Sequence, residues 1–85
     1  MSVYEIRFTK EAVKDFKKLT PKLQHKLRDI LSESISPDPH CGKRLVGELA
    51  GYWSFRLSYT DRIVYSIDES AKTVFIHRTK THYGQ

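Results

Sequence analysis

The sequence predicts an α+β fold with element order β-α-α-β-β-β-β, an antiparallel sheet with a helical hairpin packed on one face. Two observations predict it. Apolar residues recur at helical spacing in the first half and at a spacing of two in the second. The later segments are joined by short turns, which pair consecutive strands antiparallel and leave one sheet face to be covered by the helices. The 85 residues form one domain, 1–85.

Each element follows from local pattern. Val3, Ile6 and Phe8, with Tyr4, predict a short opening strand, and Thr9 a helix N-cap. Ala12, Val13, Phe16 and Leu19 carry helical spacing from Lys10 to Leu19. Thr20 caps a second helix with Pro21 in its first turn, and Leu23, Leu27, Ile30 and Leu31 extend it to about Ile35. The helical lysines interleave with Glu11, Asp15, Asp29 and Glu33, which reads as a solvated face. Pro37 and Pro39 make Ser36 to His40 a loop. A short strand covers Arg44 to Leu49, and Gly51 marks a turn. Tyr52 to Tyr59 places Trp53, Phe55 and Leu57 on one face, and Arg62 to Asp68 places Ile63, Tyr65 and Ile67 likewise. Glu69 to Lys72 is a turn before a last strand, Thr73 to Thr79, whose faces are ambiguous, Val74 and Ile76 against Phe75 and His77.

Composition bounds the function. The chain is 39% hydrophobic and 29% charged, a globular balance. It is too short for a Rossmann unit, a TIM barrel or a deep cofactor cleft. Fifteen Lys and Arg against ten Asp and Glu give a net charge of +5, which favours an anionic partner. The single cysteine, Cys41, forms no internal disulfide, which points to a reducing compartment. No apolar run approaches the roughly 20 residues that span a bilayer, and the N-terminus lacks an apolar signal region. A cytoplasmic location without membrane contact is expected.

Register places the charges. A three-residue loop of Tyr59, Thr60 and Asp61 pairs Leu57 with Ile63 and Phe55 with Tyr65, keeping both apolar sets on the helical side. Arg56 and Arg62 then share the other face. Two guanidiniums there repel each other unless an anion lies between them, and Arg grips phosphate bidentately. Lys43, Arg44, Arg78 and Lys80 come from segments that a small sheet gathers near the pair. The chain closes with His82 and Tyr83, a proton donor near neutral pH beside a ring able to stack on a base. His25, His40 and His77 have no partner at metal-ligand spacing. No HxxxH, CxxC, P-loop or GxSxG is present, so neither a metal nor a cofactor is expected.

The block Leu49-Ala50-Gly51-Tyr52-Trp53-Ser54-Phe55-Arg56-Leu57, followed by Asp61-Arg62-Ile63-Val64-Tyr65, resembles the RelE/ParE superfamily of bacterial toxins from toxin–antitoxin pairs. The closing His82-Tyr83 is most similar to its YoeB-type branch. The resemblance covers nearly the whole chain. It implies a RelE-like fold and a ribosome-dependent mRNA endonuclease, neutralised by a cognate antitoxin. Its partners are then the antitoxin, the ribosome and mRNA. By the same resemblance Arg62 is the catalytic arginine, His82 the general acid, Tyr83 its neighbour and Arg56 a phosphate-binding arginine. YoeB-type toxins carry a glutamate as base where this chain has Lys43. RelE-type members use lysines in this region, so Lys43 or Arg44 can take its place, and Glu48 is the nearest carboxylate. The alternatives are a ParE-like DNA gyrase inhibitor without nuclease activity and a basic RNA-binding module.

Overall fold

The computed structural model describes residues 3–80. It contains strand β1 (Glu5–Phe8), helices α1 (Lys10–Lys18) and α2 (Pro21–Ile30), and strands β2 (Lys43–Arg44), β3 (Trp53–Arg56), β4 (Arg62–Asp68) and β5 (Thr73–Arg78). Both helix starts follow from their caps. Thr9 Oγ1 accepts from the Ala12 N–H at 3.2 Å, and Thr20 Oγ1 from the Leu23 N–H at 3.3 Å. The helical run reaches Ile35 as its pattern predicts, but α2 widens into a π turn over Leu31–Ile35 that closes with the Ser36 N–H on the Leu31 carbonyl. Ser36 then stitches the hairpin to the entry of β1. Its carbonyl accepts from the Tyr4 N–H at 2.9 Å, and its hydroxyl donates to the Tyr4 carbonyl at 2.7 Å.

The strands form one sheet in the order β1-β5-β4-β3-β2. The four later strands pair antiparallel through their short connections. β1 adds to the edge in parallel with β5, Glu5 opposite Thr73 and Phe8 opposite Ile76, which makes the sheet mixed. No short turn links those two strands, so the hairpin rule does not govern them.

The core lies between the helices and one sheet face. Ile63, Tyr65, Val74 and Ile76 are fully buried there against Ala12, Leu27 and Ile35. The β3–β4 faces match their alternation, but the register differs by two residues. Phe55 lies opposite Ile63 and Trp53 opposite Tyr65. A shift of two preserves the faces, whereas a shift of one would invert them. The cause is Leu57, which leaves the strand and fills the core as a fully buried loop residue. Its N–H and that of Ser58 both donate to the Asp61 carbonyl, closing the longer loop.

β2 is shorter than the strand expected over Arg44 to Leu49. Gly47 adopts φ +72°, and the chain turns into a 3-10 segment, Gly47–Leu49. In β5 the ambiguity resolves with Val74 and Ile76 toward the core and Phe75 outward. Among the described residues, no helix is long and apolar enough to cross a membrane.

Candidate anion-binding site on the open face of the sheet

The sheet face away from the helices is built in rows, because facing residues of paired strands project to the same side. Arg56 lies directly opposite Arg62. The next row runs Lys43, Ser54 and Val64 across β2, β3 and β4, while Arg78, in register with Val64 past a bulge in β5, is held by Asp15 of α1. Lys43, Arg56 and Arg62 line one open groove of about 270 Å³, together with Cys41, Gly42 and Ser54, and its walls carry no carboxylate.

Like charges directly opposite on a sheet are destabilising. Among the described residues, neither Arg56 nor Arg62 has a carboxylate or hydrogen-bond partner to offset that. The groove therefore presents three cations to solvent. Such an arrangement suits a phosphodiester, whose two free oxygens match the guanidinium fork.

A buried pillar holds the groove's far wall. The Tyr65 hydroxyl donates to the Pro39 carbonyl at 2.7 Å from a fully buried side chain. Burial pushes that phenol well above its ordinary value, so it stays neutral and structural. Gly42 passes so close that a Cβ there would collide with the Tyr65 hydroxyl and would sit 2.7 Å from the Ser54 carbonyl oxygen. Glycine at this position lets the Cys41–Lys43 segment lie against the sheet.

The remaining candidate residues fall in different places. Arg44 pairs with Trp53, whose neighbour Tyr65 is in the core, so strand alternation puts Arg44 on the helical side, away from Lys43. Glu48 is exposed on the 3-10 turn and is not part of the groove wall. Arg78 is bound by Asp15 of α1, Nε at 2.7 Å from Oδ2 and Nη2 at 3.3 Å from Oδ1. Lys80 is exposed, and its N–H also approaches Asp15 at 3.4 Å. His82 and Tyr83 lie outside the described residues. His40 belongs to the other side, edge-to-face on Trp53 with its Nε2 at 2.7 Å from Glu69. Among the described residues, no group of His, Cys, Asp and Glu is placed to hold a metal ion.

Asp15 corrects one expectation. It is only 6% exposed, not part of a solvated face. Besides Arg78 it accepts from the buried Thr79 N–H at 3.1 Å. Burial alone would push its carboxyl up. The hydrogen bond from Arg78, that from Thr79 and the Arg78 charge outweigh burial and hold the group below the usual carboxylate range. Asp15 thus clamps the end of β5, where the chain leads on to His82, onto α1. A signal for it existed in the sequence: Ala12, Asp15, Phe16 and Leu19 fall on one helical face.

The chain matches no protein-family model. It is 38% identical over 76 residues to the toxin RelG of Mycobacterium tuberculosis, an alignment that covers 88% of this chain and 86% of the relative. Its structure is similar to the toxin–antitoxin complex RelBE2 from Mycobacterium tuberculosis, with a TM-score of 0.86 and 36% identity over 100% of this chain and 97% of that one. It is also similar to the YoeB–YefM complex from Staphylococcus aureus, with a TM-score of 0.79 and 27% identity over 94% of this chain and 98% of that one.

Proposed function

The chain belongs to the RelE/ParE superfamily of toxins from toxin–antitoxin pairs, and from that premise we propose that it is a ribosome-dependent mRNA endonuclease held in check by a cognate antitoxin. The observation that carries this reading is the Arg56–Arg62 pair with Lys43 around a groove free of carboxylates. A binding surface for a folded protein has no need of an uncompensated guanidinium pair, whereas a phosphodiester in transit does.

In the proposed reaction the RNA 2′-oxygen attacks the adjacent phosphorus. The 2′-O–P bond forms, the P–O5′ bond breaks, and the products are a 2′,3′-cyclic phosphate and a 5′-hydroxyl. The phosphorane gains a negative charge on its free oxygens. Arg62 stabilises that charge, and Arg56 holds the phosphate from the opposite strand. Removing one such preorganised donor costs roughly 3–4 kcal/mol in enzymes that stabilise an oxyanion. The 2′-hydroxyl proton leaves to a base, a role assigned to the neutral amine form of Lys43, which lines the groove as Glu48 does not. His82 supplies the proton that the departing 5′-oxygen takes up, and Tyr83 positions the nucleotide.

The test is paired. The chain and a variant lacking His82 to Gln85 are expressed, cut positions are mapped by primer extension, the ends are assayed for cyclic phosphate, and ribosome binding is followed by co-sedimentation. Cyclic-phosphate ends made by the full chain, with the truncated form binding ribosomes but not cutting, is the expected result. Inhibited supercoiling by gyrase with intact mRNA would replace this reading with the gyrase-directed one.

A further inference from the structure

A second groove lies on the same open face, of about 160 Å³, bounded by Leu49, Tyr52, Val64, His77 and Arg78. We propose that Tyr52 and His77 make this groove a nucleobase-binding subsite, which seats one unpaired RNA base beside the arginine pair and sets the sequence preference of cutting. This rests on the nuclease reading above.

Three features support it. The first is a β-bulge. Val64 pairs with Arg78 but Tyr65 pairs with Ile76, which leaves His77 as the extra residue of β5. Alternation with the buried Ile76 turns the His77 ring to the open face, and the bulge leaves it with no residue in register opposite. The second is preorganisation. His77 Nε2 lies 2.8 Å from Ser66 Oγ, and the ring packs edge-to-face on Tyr52 with centroids 5.0 Å apart at 89°. Two neighbours thus fix the imidazole before any ligand arrives. Burial also lowers its pKa, so the ring is neutral near pH 7 and does not compete for phosphate. With Nε2 engaged by Ser66, Nδ1 is the ring atom left to meet the edge of a base.

The third feature is size and distance. An engineered cavity of about 150 Å³ takes a benzene ring, so the groove has room for a planar ring between Leu49, Val64 and the two aromatic side chains. Ser66 lies four residues along β4 from Arg62, roughly 13 Å at about 3.3 Å per residue. Val64, which also lines the groove, lies two residues from Arg62, roughly 7 Å, so the groove suits the base of a nucleotide whose phosphate meets the arginine pair. A cationic end and an aromatic end on one face are the two parts of a single-strand RNA site.

Two measurements on the full chain test this. In the first, cut positions on mRNA are mapped for the wild type, His77→Ala and His77→Gln, with thermal unfolding as a check on folding. Stacking on an aromatic side chain contributes about 1–3 kcal/mol per base, or roughly 5- to 140-fold. His77→Ala should flatten the preference at one nucleotide position by a factor in that range, and His77→Gln should restore part of it. An unchanged pattern of cut positions in a folded His77→Ala protein overturns the inference. In the second, a 2′-O-methyl RNA trinucleotide, which cannot be cleaved, is titrated while the ring signals of His77 and Tyr52 are followed by NMR. Ring shifts that saturate, with affinity weakened in His77→Ala, support the subsite even if the wild type proves to cut nothing, the outcome that would sink the nuclease reading alone. Binding that leaves both rings unmoved, or no binding, overturns the subsite.

Discussion

Replacing Asp15 with alanine removes a carboxylate that holds the end of β5. It accepts from Arg78 Nε and Nη2, from the Thr79 N–H and from the Lys80 N–H. These donors do not lose equally. The Arg78 side chain is 46% exposed, so water takes over much of the pairing, and the loss there is about 1 kcal/mol. Thr79 is fully buried, and among the described residues its N–H has no other acceptor. Leaving that N–H unpaired costs roughly 1–3 kcal/mol. The expected destabilisation is about 3 kcal/mol, which in a chain of this length lowers Tm by roughly 12–24 °C. Asp15→Asn keeps an oxygen for Thr79 and should lose about 1 kcal/mol, mainly the charge. The assay is thermal and urea unfolding of the three proteins as a function of pH. Because the folded carboxyl lies below its unfolded value, the folded chain binds fewer protons at this site. Its contribution is complete above the unfolded value near 3.9 and is lost as pH falls through the folded value. Wild type should therefore converge on Asp15→Asn on acidification. An Asp15→Ala protein within 1 kcal/mol of wild type at pH 7, or a gap that widens toward acid, would refute the clamp.

Three further outcomes are expected. Arg62→Ala should abolish growth inhibition while leaving unfolding stability unchanged or raised by up to about 1 kcal/mol, since the substitution removes repulsion with Arg56 rather than packing; wild-type toxicity from a folded variant would take Arg62 out of the site. Gly42→Ala should lower stability by about 1–3 kcal/mol, because the added methyl drives the Cys41–Lys43 segment off Tyr65 and Ser54; a melting curve superimposable on wild type would contradict the close approach. The association rate with the cognate antitoxin, measured by stopped flow, should fall as salt rises if an acidic segment is steered to the Lys43, Arg56 and Arg62 groove, and a rate independent of ionic strength would place the contact on the apolar helices instead.

What was legible in the sequence depended on how local the governing interaction is. The alternation of Trp53, Phe55, Ile63 and Tyr65 was enough to put Arg56 and Arg62 on one face, since a sheet has only two. Which residues oppose each other was not legible, because it turns on whether Leu57 stays in the strand or fills the core. The parallel pairing of β1 with β5 joins segments from opposite ends of the chain, where no turn residue signals it. The bulge at His77 was hidden for a similar reason. Val74 and Ile76 balance Phe75, and only packing against the helices chooses between the faces. Asp15 was masked by the lysines around it, although its helical position beside Ala12 and Leu19 places it inward. His82 and Tyr83 stood out as residue types, and their roles rest on the family likeness.

The place of β5 in the sheet has a consequence for biosynthesis. This strand, Thr73–Arg78, sits between β1 and β4 and, among the described residues, is the last element in chain order. Until it emerges, β1 has no strand to pair with, and the helical hairpin lacks Val74 and Ile76 beneath it. Contacts between the first and last strands also close late, since the whole intervening chain must be ordered first. Local pieces such as the helical hairpin can form on the nascent chain, but the complete sheet is assembled only after β5 has emerged. A protein whose proposed target is the translating ribosome thus acquires its complete sheet only once β5 has been made.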